Sequence, residues 1–127
     1  MRGVLLVFLG GGLGSVARHL TVLGMERLMP RAEFPWGVFV ANMAGSFVLG
    51  FLCVLPVMKS ANQDLWLLAA TGFLGGYTTF STLANNSWLL LQGGGVAMGL
   101  LNAFGSMASG IVCAAAGWYC GRAVCGG

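Results

Sequence analysis

Apolar residues fill four stretches of this chain, over 3–25, 36–58, 65–91 and 96–120, and the polar residues crowd into the gaps between them. Each stretch exceeds the roughly 20 helical residues needed to cross a hydrocarbon core. The first gap carries Glu26, Arg27, Pro30, Arg31 and Glu33, the second Lys59, Asn62 and Asp64, and the third is Gly93-Gly94-Gly95. The pattern predicts an all-α integral membrane protein with four transmembrane helices, a helical hairpin repeated twice, in a single domain over 1–127. An alternative reading of the start, as a secretory leader, rests on Arg2, the apolar run 4–13 and the Ser15-Val16-Ala17 triplet. The apolar run resumes after Arg18-His19, and residue 1 is therefore taken as the start of the mature chain.

The third stretch departs from a plain span. At its centre stands Thr71-Gly-Phe-Leu-Gly-Gly-Tyr-Thr-Thr-Phe-Ser-Thr82. Glycine is poor helix filler, and Gly75-Gly76 predict a helix broken at mid-membrane. Backbone loosened at that depth persists only where protein or a polar pathway satisfies it. A broken helix also offers amides at one half-helix start and carbonyls at the other half-helix end, the materials of a membrane ion site. The competing reading is a glycine face for close helix packing, which does not account for Thr78, Thr79, Ser81 and Thr82 together.

Composition narrows the class. Hydrophobic residues make up 57% and charged residues 7%, against about a quarter charged in soluble domains, which excludes a soluble fold and leaves no footprint for nucleic acid. With four spans both termini share a side, and that side carries Arg2, Lys59 and Arg122. The other carries Arg27 and Arg31, with Arg18 counted there as well. Three against three gives the positive-inside rule nothing to decide, so insertion in both orientations and pairing of opposed copies follow, unless one misplaced charge sets a single topology. Cys53, Cys113, Cys120 and Cys125 lack the spacing and histidine partners of a metal site.

Polar side chains inside the spans fall on helical faces. Asn42 and Ser46 share a side of the second span. Asn102, Ser106 and Ser109 form a stripe on the fourth, and Ser81, Thr82, Asn85 and Asn86 continue beyond the break. Each is a neutral hydrogen-bond donor, serving either as interhelical glue or as a pathway. No Asp or Glu lies between Glu33 and Asp64 or after Asp64. Intramembrane carboxylates mark proton-coupled and cation transport, so donors without fixed negative charge favour an anion. Arg18 either snorkels to the headgroups or lies below the surface, and His19 reads as interfacial. Phe80 is ordinary core unless its positive ring edge faces that anion. No activated nucleophile or acid–base pair supports an enzyme.

Three motifs carry a resemblance: Gly10-Gly-Gly-Leu-Gly-Ser-Val-Ala-Arg18, Pro35-Trp-Gly-Val-Phe-Val-Ala-Asn42-Met-Ala-Gly45, and the 71–82 segment. Together with the four-span layout, they make the chain resemble the Fluc or CrcB family of small bacterial fluoride channels. The resemblance implies an antiparallel dual-topology dimer in the bacterial plasma membrane, with two narrow fluoride pores and a central sodium ion. It implies that the backbone carbonyls of Gly75 and Thr78 hold the sodium. It also implies that Asn42, Phe80, Ser81, Thr82, Ser106 and Ser109 belong to the fluoride path.

Two positions depart from the family. Leu83 stands where a second pore phenylalanine is usual, and Asn86 where a glutamate is common. Some members pair unlike subunits, so either a homodimer or a pair with a paralogous subunit is implied. The expected function is passive export of cytoplasmic fluoride. A small multidrug exporter is the first alternative, but it lacks a carboxylate in the first span. A non-transporting membrane subunit is the second.

Overall fold

The computed structural model describes residues 1–59 and 63–126, with the backbone alone at Lys59. The expectations resting on Asn62 and on the Lys59 charge lie outside the described residues. The protein is all-helical, with no strand among those residues. Helix α1 spans Arg2–Leu28, α2 Trp36–Leu52 and α3 Pro56–Lys59. Helix α4 covers 63–77 and contains a π-helical stretch at Leu67–Leu74. Helix α5 is Phe80–Gln92, and α6 is Val96–Val124 with a π-helical turn at Leu101–Gly105. Both α1 and α6 are long and apolar enough to cross a membrane; α2 is apolar but shorter.

The second apolar stretch, expected as one helix over 36–58, is not one helix. It ends at Leu52 and turns over 53–55 before α3 begins. Pro56 is the cause: it has no N–H to give to the Leu52 carbonyl, and its ring would collide with that oxygen. Proline is well suited to the first position of a new helix instead, and it opens α3 there.

Two helix pairs organise the molecule: α1 runs along α4, and α2 runs along the Ser106–Val124 part of α6. The second pair approaches closely at Gly50 and Gly117. A side chain at either would run into backbone, the Ala114 carbonyl at Gly50 and the Phe47 carbonyl at Gly117. Small residues at such crossings let helices associate through van der Waals contact where no hydrophobic force separates them from lipid. Helix α5 leans on the start of α6. At the outer end of α1, Arg2 pairs with Asp64 at 2.6 Å, tying the starts of α1 and α4 together.

Burial runs opposite to that of a water-soluble bundle. Phe8, Phe104 and Val112 are 75%, 72% and 67% exposed, whereas the largest fully buried side chain is the amide of Asn102. A continuous apolar exterior of this kind needs lipid or a partner to cover it.

Candidate functional site

The α4–α5 junction is where regular helix stops. Thr78 (φ −88°, ψ 158°) and Thr79 (φ −154°, ψ 119°) are both extended. The interruption therefore falls after the glycine pair rather than at it. Gly75 itself is helical (φ −62°, ψ −36°), and Gly76 is needed for packing, since a side chain there would strike the Gly11 backbone of α1. Threonine, not glycine, starts the next helix. Thr79 Oγ1 accepts from the Thr82 amide at 3.3 Å and donates to Thr82 Oγ1 at 3.1 Å. That is N-cap behaviour, which stabilises a helix start by about 1 kcal/mol.

Asn42 on α2 fastens the junction. Its Nδ2 donates to the Thr79 carbonyl at 3.1 Å, and its Oδ1 accepts from the Thr79 amide at 2.8 Å. One side chain thus satisfies both backbone groups of an extended residue. An amide nitrogen carries two hydrogens, so one N–H of Asn42 remains beyond this pair.

The rerouting has a consequence for two carbonyls. In continuous helix the Thr79 amide would go to the Gly75 carbonyl and the Thr82 amide to the Thr78 carbonyl. Here they go to Asn42 Oδ1 and Thr79 Oγ1. Gly75 and Thr78 are thereby released from their ordinary helical donors. The Thr78 carbonyl accepts instead from Arg18 Nη1 at 3.3 Å, which uses one of its two lone pairs. Arg18 sits about 15 Å short of the end of α1, half-buried against this junction. It does not belong with the loop charges, which corrects the count of three basic residues against three. Nearby, Thr21 Oγ1 and Tyr77 Oη share a hydrogen bond of 3.0 Å, and Phe73 stacks on Tyr77 with ring centroids 6.0 Å apart.

A groove of about 490 Å³ runs past the junction between α2, α4 and α6. Asn42, Gly75, Thr78, Phe80, Leu83 and Ser106 all line it, as does Ser46. Phe80 is 71% exposed, whereas Leu83 is buried at 7%. Ser81 and Thr82 are exposed but do not line this groove; Thr82 belongs to a separate cavity with Asn86. Ser109 lines neither. The wall of α6 continues from Ser106 to Gly110 and Ala114, so the expected Asn102–Ser106–Ser109 stripe is divided.

Asn102 serves a buried clamp rather than the groove. Its Nδ2 donates to Ser87 Oγ at 2.9 Å and to the Leu83 carbonyl at 3.4 Å, while Ser87 Oγ donates to that carbonyl at 2.8 Å. Ser106 Oγ donates to Asn102 Oδ1 at 3.4 Å. The clamp holds α5 to α6 by its hydrogen bonds and positions Ser106 at the groove wall. The cysteines are all free thiols, and Cys113 Sγ donates to Met43 Sδ at 3.8 Å.

Asn42 and Phe80, singled out in the sequence, both line the groove. The cap at Thr79 and the inward role of Arg18 were not singled out there. A threonine placed just before a new helical run is the signal that would have located the first. Nothing in the sequence marks the partner of Arg18.

Comparison with known proteins gives a consistent result. Residues 5–118 match the family described as CrcB-like protein, Camphor Resistance (CrcB). The Fluoride-specific ion channel FluC of Bacteroides fragilis is 42% identical over 124 residues, spanning 96% of this chain and 98% of the relative. Its namesake in Thermus thermophilus is 40% identical over 129 aligned residues, spanning 99% and 100%. Another, from Gloeobacter violaceus, is 40% identical over 126 residues, spanning 98% and 99%. On a family match covering nearly its whole length and relatives at this identity, the chain belongs to the CrcB family.

Proposed function

We propose that this protein is a fluoride-selective ion channel of the bacterial plasma membrane that lets cytoplasmic fluoride leave passively. The observation that carries the proposal is the junction itself. Asn42, Phe80 and Ser106 meet at one groove beside an interrupted helix, in a chain whose relatives are named fluoride-specific channels. Fluoride is small and strongly hydrated, so a filter must replace its water with close donors. The second Asn42 N–H and the positive edge of the Phe80 ring are of that kind, and the Ser106 hydroxyl would join them by giving up its bond to Asn102. Ser81 is assigned to the mouth of the path, and neither Thr82, which lines the separate cavity, nor Ser109 is given a place on it.

The working unit is an antiparallel, dual-topology dimer of four-span subunits, with α4 and α5 forming the broken third span. The open groove and exposed Phe80 favour a second copy as the covering element. Opposed insertion is supported by the near-balance of the loop charges with Arg18 set aside: Arg2, Lys59 and Arg122 against Arg27 and Arg31. A sodium ion is assigned to the contact between the subunits on the chemistry of its donors. The Gly75 and Thr78 carbonyls are hard oxygen donors released from helical bonding, and two copies would supply four of them. When bound, the ion would supply positive charge at the dimer centre; the chain contributes the carbonyls and the Asn42 clamp, which draws the Thr79 amide away from the Gly75 carbonyl.

Expression in bacteria deprived of their own fluoride exporter tests the assignment. Growth should be restored on fluoride medium by this chain and not by its Phe80→Ile variant. Failure of the intact chain, once shown to accumulate in the membrane, would reject the proposal.

A further inference from the structure

A second cavity, of about 380 Å³, lies where α1 ends and α2 begins. Its volume is in the range of about 300–1,000 Å³ usual for small-molecule sites. Its wall includes Glu26 and Glu33, two of the three acidic residues in the chain. Among the described residues neither forms an ion pair, although Arg27 and Arg31 stand close in sequence, and none of the described basic side chains lines the cavity.

Aromatic rings form another part of the wall. Phe34 and Trp36 have centroids 4.7 Å apart and planes inclined at 58°, making a corner rather than a stack. Phe39 braces both from behind, edge-on to Phe34 at 5.5 Å and to Trp36 at 5.7 Å. Thr82 and Asn86 of α5 complete the lining from the other side.

Carboxylates and aromatic rings in one cavity wall select a particular chemistry. A hard divalent ion takes several oxygen ligands, and no group of three metal-ligating side chains exists among the described residues. An anion meets two negative charges and no cation. An alkylated ammonium suits the wall: its diffuse positive charge is drawn to ring faces, and it makes no demand for hydrogen-bond acceptors. We infer that the cavity binds a small quaternary ammonium cation, with Phe34 and Trp36 taking its methyl surface and Glu26 and Glu33 balancing its charge.

The inference is independent of the fluoride reading, and it is tested without fluoride. Choline and 3,3-dimethyl-1-butanol share a shape but differ in having nitrogen or carbon at the centre. Calorimetry on the purified full chain in detergent should show choline binding, and the neutral analogue should bind at least about tenfold more weakly. The Glu26→Gln/Glu33→Gln double variant should lose about tenfold in choline affinity, as expected for two charges acting through solvent at about 5 Å. Trp36→Leu should lose about fivefold. Both carboxylates are exposed, so the double variant remains decisive if Trp36→Leu fails to fold. Equal binding of the neutral analogue, unchanged affinity in the double variant, or no choline binding would overturn the inference.

Discussion

Replacing Asn42 by aspartate changes one atom of the junction and reverses what it offers to an anion. The Asn42 side chain accepts from the Thr79 amide at 2.8 Å and donates to the Thr79 carbonyl at 3.1 Å. Aspartate keeps the first bond and strengthens it, because an ionised acceptor binds an amide more tightly. It loses the second and sets a negative oxygen against a carbonyl, at a cost of about 1–3 kcal/mol for the unsatisfied group. The fold should survive, since α2 stays anchored along α6. Conduction should not. A carboxylate about 5 Å from fluoride, at an effective dielectric of about 20, repels it by about 3 kcal/mol, which is more than a hundredfold in occupancy. Efflux from liposomes, followed with a fluoride electrode, should fall by at least that factor. Acidification should restore part of the flux, because a protonated carboxyl is again a donor. Undiminished efflux through folded Asn42→Asp protein would refute the reasoning and move the path away from Asn42.

Phe80→Ile keeps bulk but removes the ring quadrupole, so fluoride efflux should collapse while the size on gel filtration is unchanged; Leu83→Phe should keep or raise efflux if the ring turns into the groove, and should lower the melting temperature if it remains in the buried leucine site, where overpacking costs about 1–3 kcal/mol. Gly76→Ala should prevent folded protein from accumulating, because the added carbon meets the Gly11 backbone, whereas Gly75→Ala, with its nearest neighbour 3.9 Å away, should leave helix content by circular dichroism unchanged. Replacing sodium with rubidium on both sides of the membrane should reduce efflux; equal rates would remove the basis for a cation on the Gly75 and Thr78 carbonyls. Two or three lysines added at Gly93-Gly94-Gly95 should fix one orientation and silence the protein until an oppositely biased copy is co-expressed, and full activity of the biased protein alone would exclude the antiparallel dimer.

The helical class was readable because periodic apolar stretches leave few alternatives when only 7% of residues are charged. The end of α2 was less so. The apolar run continues past Leu52, and only the local sterics of Pro56 divide it. At the junction, the glycines suggested where the chain loosens, but Gly75 is ordinary helix and Gly76 serves close contact with α1. The turn is instead stabilised by Thr79 capping and by Asn42, which lies 37 residues away in sequence. Long-range partners of this kind leave no local trace. The same holds for Arg18, whose charge looks interfacial until the Thr78 carbonyl is placed beside it. Asn102 and Ser109 show the limit of helical periodicity. Spacing gives a shared face, but not which neighbour consumes the polar group; Asn102 is taken up by Ser87 and the Leu83 carbonyl.

The central claim is selective fluoride conduction, and anion efflux from liposomes containing the purified chain tests it most directly. Vesicles loaded with equal fluoride and chloride, and given a potassium ionophore to carry the balancing charge, should release fluoride rapidly and retain chloride. Comparable release of both anions, or release of neither from vesicles shown to contain folded protein, would contradict the account.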